Sequence, residues 1–130
     1  MIFGIGTDII DISRIRKAIE ANPRFVDKIF TAKEIAYCSQ RAMPYQSYAV
    51  RFAAKEAVMK AIGTGWDGVI NWQDIEIVLN DKGKPSVCLY GASKQFTEAQ
   101  GITGIHISLS HEKEFAIAYA VLEIGKAAWE

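Results

Sequence analysis

The sequence predicts an α+β domain in which a mainly antiparallel sheet packs with one long central helix. Stretches with the alternating pattern of strands occur near both ends of the chain, and a long helical stretch lies between them. A hairpin-like turn at residues 80–85 joins two further strand-like stretches. At 130 residues the chain is expected to form one domain, from residue 1 to residue 130.

Local signals mark the ends of several predicted elements. Asn22-Pro23 breaks the first helix, and Thr31 and Glu34 have the spacing of a capping box. Pro44 suits the first turn of the long helix, and Gly63 suits its stop. In chain order we predict a strand within 1–12, helices at 11–21 and 24–30, a helix from the capping box, the long helix 44–62, strands 74–79 and 86–90, a helix at 92–100, and strands 104–110 and 115–122.

Charge and composition argue against several classes of protein. Lys+Arg and Asp+Glu both number 15, so the net charge does not steer the whole protein toward nucleic acid or an anionic membrane. The two cysteines have neither metal-site spacing nor the density of a disulfide scaffold. The chain shows no signal-peptide pattern and no stretch of roughly 18 apolar residues, the length that a membrane helix needs. We therefore expect a cytoplasmic protein that binds neither nucleic acid nor membrane.

The first candidate functional residue is Asp8, in the first predicted strand. Strand side chains alternate between faces, so Asp8 shares a face with Gly4 and Gly6. The glycines leave room beside the carboxylate for a ligand or for another backbone. The alternative is that they form a bulge and that Asp8 caps the next helix.

The second candidate is the charged part of the long helix. Arg51 and Lys55 are four residues apart, which makes like charges neighbours on a helix surface unless a polyanion lies across them. Glu56 and Lys60 are also four apart, in the favourable order. The alternative is a solvated face with one ordinary ion pair, a common and weak feature.

The third candidate is the strand-like run 106–111. Alternation places His106, Ser108 and Ser110 on one face, and all three side chains can donate hydrogen bonds to phosphate. A hydrolase that uses His and Ser is disfavoured, because the chain has no Gly-x-Ser-x-Gly elbow and no evident orienting acid.

Together these stretches closely resemble the holo-acyl-carrier-protein synthase family of phosphopantetheinyl transferases. The order and the spacing of the matching stretches agree over nearly the whole chain. They are GIGTDII at 4–10, RFAAKEA at 51–57 with Lys60, GKP at 83–85 in the expected hairpin, and HISLSH at 106–111.

The resemblance implies a fold, an assembly and a reaction. The fold is the 4'-phosphopantetheinyl transferase-like fold, and three chains form a homotrimer with active sites at the subunit interfaces. The enzyme moves the 4'-phosphopantetheine group of coenzyme A to a serine of apo-acyl carrier protein, and 3',5'-ADP leaves. The product, holo-acyl carrier protein, serves fatty acid biosynthesis.

The resemblance also implies roles for individual residues. Asp8 and Glu56 would hold Mg²⁺, with Ile10 in the place where larger relatives often carry another acid. Glu56 is the candidate to deprotonate the serine, and Lys60 is the candidate to stabilise the leaving phosphate. The residues expected to contact coenzyme A are Arg51, Lys55, Lys60, Gly63, His106 and Ser110.

A basic stretch predicts where the acidic carrier protein docks. Residues 13–28 carry five basic side chains against two acidic ones, which suits electrostatic docking. Arg14 is the residue to which the resemblance points most directly, and Arg24 is the second candidate.

Two other classes remain open from the residues alone. A metal-dependent phosphate hydrolase could use Asp8 and Glu56 without any carrier protein. A non-catalytic, trimeric binding module would carry the same charges only as surface pairs.

Overall fold

The structure is a computed structural model that describes residues 1–64, 68 and 70–125. The long helix α4 is central, and the strands and the other helices pack around it. The helices are α1 Ile12–Ala21, α2 Arg24–Ile29, α3 Ala32–Ser39, α4 Pro44–Ile62 and α5 Gly91–Ala99, and the strands are β1 Ile2–Asp11, β2 Ile75–Leu79, β3 Pro85–Leu89, β4 Ile102–His111 and β5 Phe115–Ile124.

The strands form two antiparallel sheets. One contains β1, β5 and β4 in that order, and the other is the hairpin of β2 and β3. In the larger sheet Asp8 pairs with Ala118, and Leu109 pairs with Ala118 from the other side. The predicted α+β class and antiparallel pairing are confirmed, with the strands divided between two sheets.

The inner face of the larger sheet rests directly on α4. A Cβ atom added at Gly6 would lie 1.9 Å from the carbonyl oxygen of Ala57, and one added at Gly4 would lie 2.0 Å from that of Ala61. Only glycine permits this approach, because any other residue would collide with the helix backbone. The glycines of β1 therefore make room for another backbone, one of the two possibilities that the sequence left open.

Helix α4 begins and ends where the sequence predicts. Pro44 occupies the first turn, where its missing N–H costs no hydrogen bond, and Gly63 ends the helix with a φ of 93°. The helix is buried on nearly every side, and its small residues (Ala49, Ala53, Ala54, Ala57 and Ala61) permit close packing. Glu56 and Lys60 lie in the second half of this helix.

Side-chain caps fix the shorter helices that surround α4. Asp11, rather than Asp8, accepts the N-terminal hydrogen bond of α1 from Ser13. Thr31 and Glu34 form the predicted capping box at the start of α3. Asp8 is thus left free of a capping role. No helix in the described part of the chain is long and apolar enough to cross a membrane.

Candidate active site

Strand β1 and helix α4 bring Asp8, Glu56 and Lys60 together. The Nζ atom of Lys60 lies 3.0 Å from Oδ1 of Asp8 and 3.1 Å from the carbonyl oxygen of Thr7. The side chain of Asp8 is 12% exposed, whereas that of Lys60 is 52% exposed. The carboxylate is therefore sheltered, and the ammonium remains open to a ligand.

Glu56 lies one helical turn before Lys60 and is partly buried. Burial, and secondarily the negative charge of Asp8, raise the pKa of the Glu56 carboxyl, and Lys60 offsets this in part. The folded protein therefore favours the protonated form of this carboxyl more than water does.

Asp8 and Glu56 face a common cavity of about 330 Å³. The guanidinium-bearing side chain of Arg14, on α1, lines the same space. The remaining wall is apolar and consists of Ile9, Ile10, Ile15, Ala18, Phe25 and Phe52. We call this space the carboxylate cavity; it combines two carboxylates, one guanidinium and an apolar wall.

A larger cavity of about 680 Å³ lies between the starts of α1 and α4 and the β4–β5 turn. Its acids are Glu114 and Asp11, and Asp11 accepts hydrogen bonds from the backbone N–H and the hydroxyl of Ser13. The smaller cavity instead brings Asp8 and Glu56 together beside the exposed ammonium of Lys60, so we place the candidate active site there.

The carboxylate cavity fits a hard divalent cation. Two like charges close together are relieved by a cation, and Mg²⁺ commonly takes one or two carboxylates together with water and phosphate oxygens. Among residues 1–64, 68 and 70–125, no group of three or more His, Cys, Asp or Glu side chains is placed to hold a metal. The apolar Ile10 at the cavity wall agrees with a site that has two acids.

Arg51 lies in a separate cavity of about 400 Å³ and is only 4% exposed. Its Nη1 atom donates to the carbonyl oxygen of Ser47 at 3.2 Å, and its guanidinium lies 4.5 Å from the centre of the Tyr37 ring. Arg41 lies over the same ring. The Nε atom of Arg51 has no acceptor among the described residues, so the buried cation keeps one donor for a ligand.

The predicted position of Lys55 on the helix surface is wrong. Its side chain is fully buried, and its Nζ atom donates to Glu34 Oε1 at 2.7 Å, to Trp72 O at 3.1 Å and to Ile75 O at 2.5 Å. An ammonium group has three N–H donors, and all three are used. Lys55 therefore has no donor left for a coenzyme A phosphate, because α4 is covered on the side where solvent was expected.

The other predicted ligand residues lie at the edges of α4 and of the larger sheet. Gly63 ends α4 with open space beside its Cα atom. His106 and Ser110 are exposed on β4, and His106 contacts Glu123. His106 and Ser110 lie on the outer face of the sheet, whereas Asp8 lies on the face that packs against α4. One chain does not bring them to the carboxylate cavity.

The two predicted docking residues are exposed at the beginning of the chain's helical region. Arg14 lines the carboxylate cavity, and Arg24 is the first residue of α2.

Sequence reasoning missed Glu34 as the partner of Lys55, and it missed Tyr37 and Arg41 beside Arg51. The capping box identified Glu34 only as a cap, and no sequence signal shows that its carboxylate also meets a lysine of α4.

Comparisons with known proteins show the family to which the chain belongs. The family model of the 4'-phosphopantetheinyl transferase superfamily matches residues 4–120. The holo-[acyl-carrier-protein] synthase of Ruminiclostridium cellulolyticum is 51% identical over 123 residues, which cover 93% of this chain and 92% of that protein. The corresponding protein of Clostridium novyi is 49% identical over 124 residues, which cover 95% of this chain and 89% of that protein.

Solved structures give the same result. The crystal structure of the holo-[acyl-carrier-protein] synthase from Neisseria meningitidis is 37% identical, with a TM-score of 0.89 over 95% of this chain and 99% of that one. The synthase from Bacillus anthracis, in complex with CoA (3',5'-ADP), is 37% identical, with a TM-score of 0.81 over 96% of this chain and 99% of that one. The chain therefore belongs to the 4'-phosphopantetheinyl transferase superfamily and, within it, to the holo-[acyl-carrier-protein] synthase family.

Proposed function

We propose that this protein is a single-domain, cytoplasmic, Mg²⁺-dependent transferase that converts apo-acyl carrier protein into the holo form. The 4'-phosphopantetheine group of coenzyme A passes to a serine of the carrier protein, 3',5'-ADP is released, and the product serves fatty acid biosynthesis. The observation that carries the proposal is the convergence of Asp8, Glu56 and Lys60 beside a cavity that Arg14 also lines.

Asp8 and Glu56 would hold Mg²⁺, which when bound spreads the negative charge of the coenzyme A pyrophosphate. Phosphoryl transfer needs mainly positioning and charge stabilisation from the protein, and this chain supplies both with side chains held on a rigid strand and helix. The close contact of β1 with α4 keeps the two carboxylates at a fixed separation.

Glu56 takes the proton of the carrier-protein serine in the proposed step. The serine oxygen forms a bond to the β-phosphorus of coenzyme A, and the bond from that phosphorus to the oxygen bridging to the α-phosphate breaks. The electron pair of that bond leaves with 3',5'-ADP, next to the ammonium of Lys60. The position of Glu56 on the cavity wall supports its role as proton acceptor, and the 52% exposure of Lys60 supports its access to phosphate.

The coenzyme A site is completed, in this proposal, by a neighbouring copy of the chain in a homotrimer. Arg51, His106 and Ser110 of one copy would meet the carboxylate cavity of the next. This is supported by the outer face of the larger sheet, the face turned away from α4. Its apolar members Ile5 and Ile9 are 68% and 63% exposed, and they lie beside Ile117, Tyr119 and Val121 of β5.

The carrier protein docks on α1 and α2 in this proposal. Arg14 and Arg24 are exposed, and Arg14 extends to the cavity in which the serine would react. An acidic partner would be steered there by charge, with a rate that falls as salt concentration rises. Nucleic acid and membrane are not partners in this proposal.

The intact mass of a purified apo-acyl carrier protein tests the function. The carrier protein is incubated with this protein, coenzyme A and Mg²⁺, and parallel samples contain a chelator or the Asp8→Ala variant. We expect a gain of one phosphopantetheinyl group that is lost in both controls. Release of 3',5'-ADP without any carrier protein would instead favour the hydrolase, and binding of coenzyme A without turnover would favour the binding module.

A further inference from the structure

A buried ion pair links α3 to α4 at Lys55, the residue that precedes Glu56. The side chains of Lys55 and Glu34 are 0% and 1% exposed, and their charged atoms are 2.7 Å apart. The other oxygen of Glu34 accepts the backbone N–H of Ile77 at 2.9 Å. Lys55 and Glu34 therefore tie α3, α4 and β2 to one another with directional contacts.

Further hydrogen bonds connect the start of α3 to the β2–β3 hairpin. The hydroxyl of Thr31 donates to Glu76 Oε2 at 2.6 Å, and the hydroxyl of Tyr90 donates to Glu76 Oε1 at 2.9 Å. Thr31 also accepts the backbone N–H of Glu34. We call the set Glu34, Lys55, Thr31, Glu76 and Tyr90 the polar network; it is buried at Glu34, Lys55 and Glu76 and reaches the surface at Tyr90, and Lys55 is its member on α4.

Stability alone does not account for a pair of charges at this position. Removing two charges from water costs several kcal/mol for each ion, and apolar residues of similar size often stabilise a protein as well or better. A fully bonded polar network does, however, restrict the geometry of the elements that it joins.

The location of Lys55 determines what the network can restrict. Successive residues of an α-helix point about 100° apart, so Lys55 fixes the direction in which Glu56 points. Ala57 and Ala61 are held against β1 at the same time, on another side of α4. With contacts on two sides, the helix cannot rotate about its axis without breaking one of them.

We propose that Lys55 and Glu34 are positioning residues for the transfer reaction: their ion pair fixes the rotation of α4 and so directs Glu56 and Lys60 toward Asp8. The inference rests on the function proposed above. It replaces the expectation that Lys55 touches a coenzyme A phosphate, since all three of its N–H donors are bonded within the protein.

Three variants and one control test the positioning role. Lys55→Met and Glu34→Gln each leave one buried charge unpaired, whereas the double variant leaves none. Val58→Ala is the matched control, because Val58 is a fully buried apolar residue of the same helix and its truncation lowers stability without touching the network. Thermal unfolding, kcat, and KM for coenzyme A are measured for all four proteins and the parent.

We expect the single variants to unfold at lower temperature and the double variant to recover much of the loss. At saturating Mg²⁺ its kcat should nevertheless stay about tenfold or more below that of the parent, with a smaller change in KM for coenzyme A, because a misdirected Glu56 accepts the serine proton poorly. Val58→Ala should keep its kcat despite a lower Tm.

Three results would overturn the inference. A double variant with the parent kcat would show that the pair serves stability alone. A large rise of KM for coenzyme A in Lys55→Met, with Glu34→Gln unaffected, would indicate a direct phosphate contact. A parent protein that transfers nothing would overturn the proposed function, and the positioning role with it.

Discussion

The ammonium of Lys60 lies 3.0 Å from a carboxylate oxygen of Asp8, although 52 residues separate the two in sequence. The contact joins β1, three residues before its end, to the last turn of α4. The lysine thus neutralises the carboxylate from one side, and more than half of its side chain stays accessible. An incoming phosphate would find a cation already directed by the protein.

Replacing Lys60 by methionine should lower kcat by about 100-fold, because a positioned charge that stabilises the leaving phosphate is lost. The measurement is the rate of mass gain of apo-acyl carrier protein at saturating coenzyme A and Mg²⁺. Lys94→Met, which removes an exposed lysine from α5, serves as the control. A Lys60→Met protein with a kcat within threefold of the parent would exclude the proposed role.

Glu56→Gln should stabilise the metal-free protein at neutral pH. The folded-state pKa of Glu56 is raised above its ordinary value of 4.5, so its contribution to stability is present below pH 4.5 and is lost as pH rises through the folded-state pKa. The variant should therefore have the higher Tm near pH 7, and the difference should shrink toward pH 4.

Thermal unfolding across this pH range checks the prediction, with Glu20→Gln as the control because Glu20 forms only an exposed pair with Arg16. The same Glu56→Gln variant should lose nearly all transfer activity. A Tm difference that does not depend on pH would mean that the charge of Glu56 is not costly in the folded protein. Retained turnover at saturating Mg²⁺ would rule out Glu56 as the proton acceptor.

Arg14→Glu should raise KM for the carrier protein by about tenfold while the affinity for coenzyme A is unchanged, since the charge faces the docking partner. The rate should also depend less on salt. Lys17→Glu is the matched control: it reverses another exposed charge of α1 that does not line the carboxylate cavity. Equal losses of affinity for both substrates would contradict a docking role for Arg14.

Ile5→Asp should convert the proposed trimer into monomers that have lost transfer activity, because it places a charge on the outer face of the sheet. Light scattering coupled to size-exclusion chromatography measures the mass. Ala92→Asp adds the same charge at an exposed residue of α5, outside both the sheet and the cavity of Arg51, and should leave the assembly intact. A parent protein that is monomeric at working concentration would refute the interface.

The sequence predicts local structure well where a backbone requirement has a clear chemical signature. Pro44 and Gly63 delimit α4, and Thr31 with Glu34 marks the start of α3, because these residue types satisfy or remove backbone groups at helix ends. The alternation in β4 likewise places His106 and Ser110 on one exposed face.

Tertiary relationships could not be predicted in the same way. Charge at Lys55 suggests a solvated surface, but α4 is enclosed on nearly all sides, and the burial of a lysine depends on Glu34 arriving from a different helix. Strand alternation also does not tell which face of the sheet meets the helix. The separation of His106 from Asp8 therefore became visible only once the sheet was placed on α4.

The glycine contact between β1 and α4 also limits how this site could change. At Gly6 the strand and helix meet through main-chain atoms alone, and no substitution can make a residue smaller than glycine. Mutation can only widen this contact, so the backbones that carry Asp8 and Glu56 already approach as closely as this packing permits. Adaptation to new carrier proteins would then arise at the rim of the cavity, on α1 and α2, where side chains can be exchanged without moving the two acids.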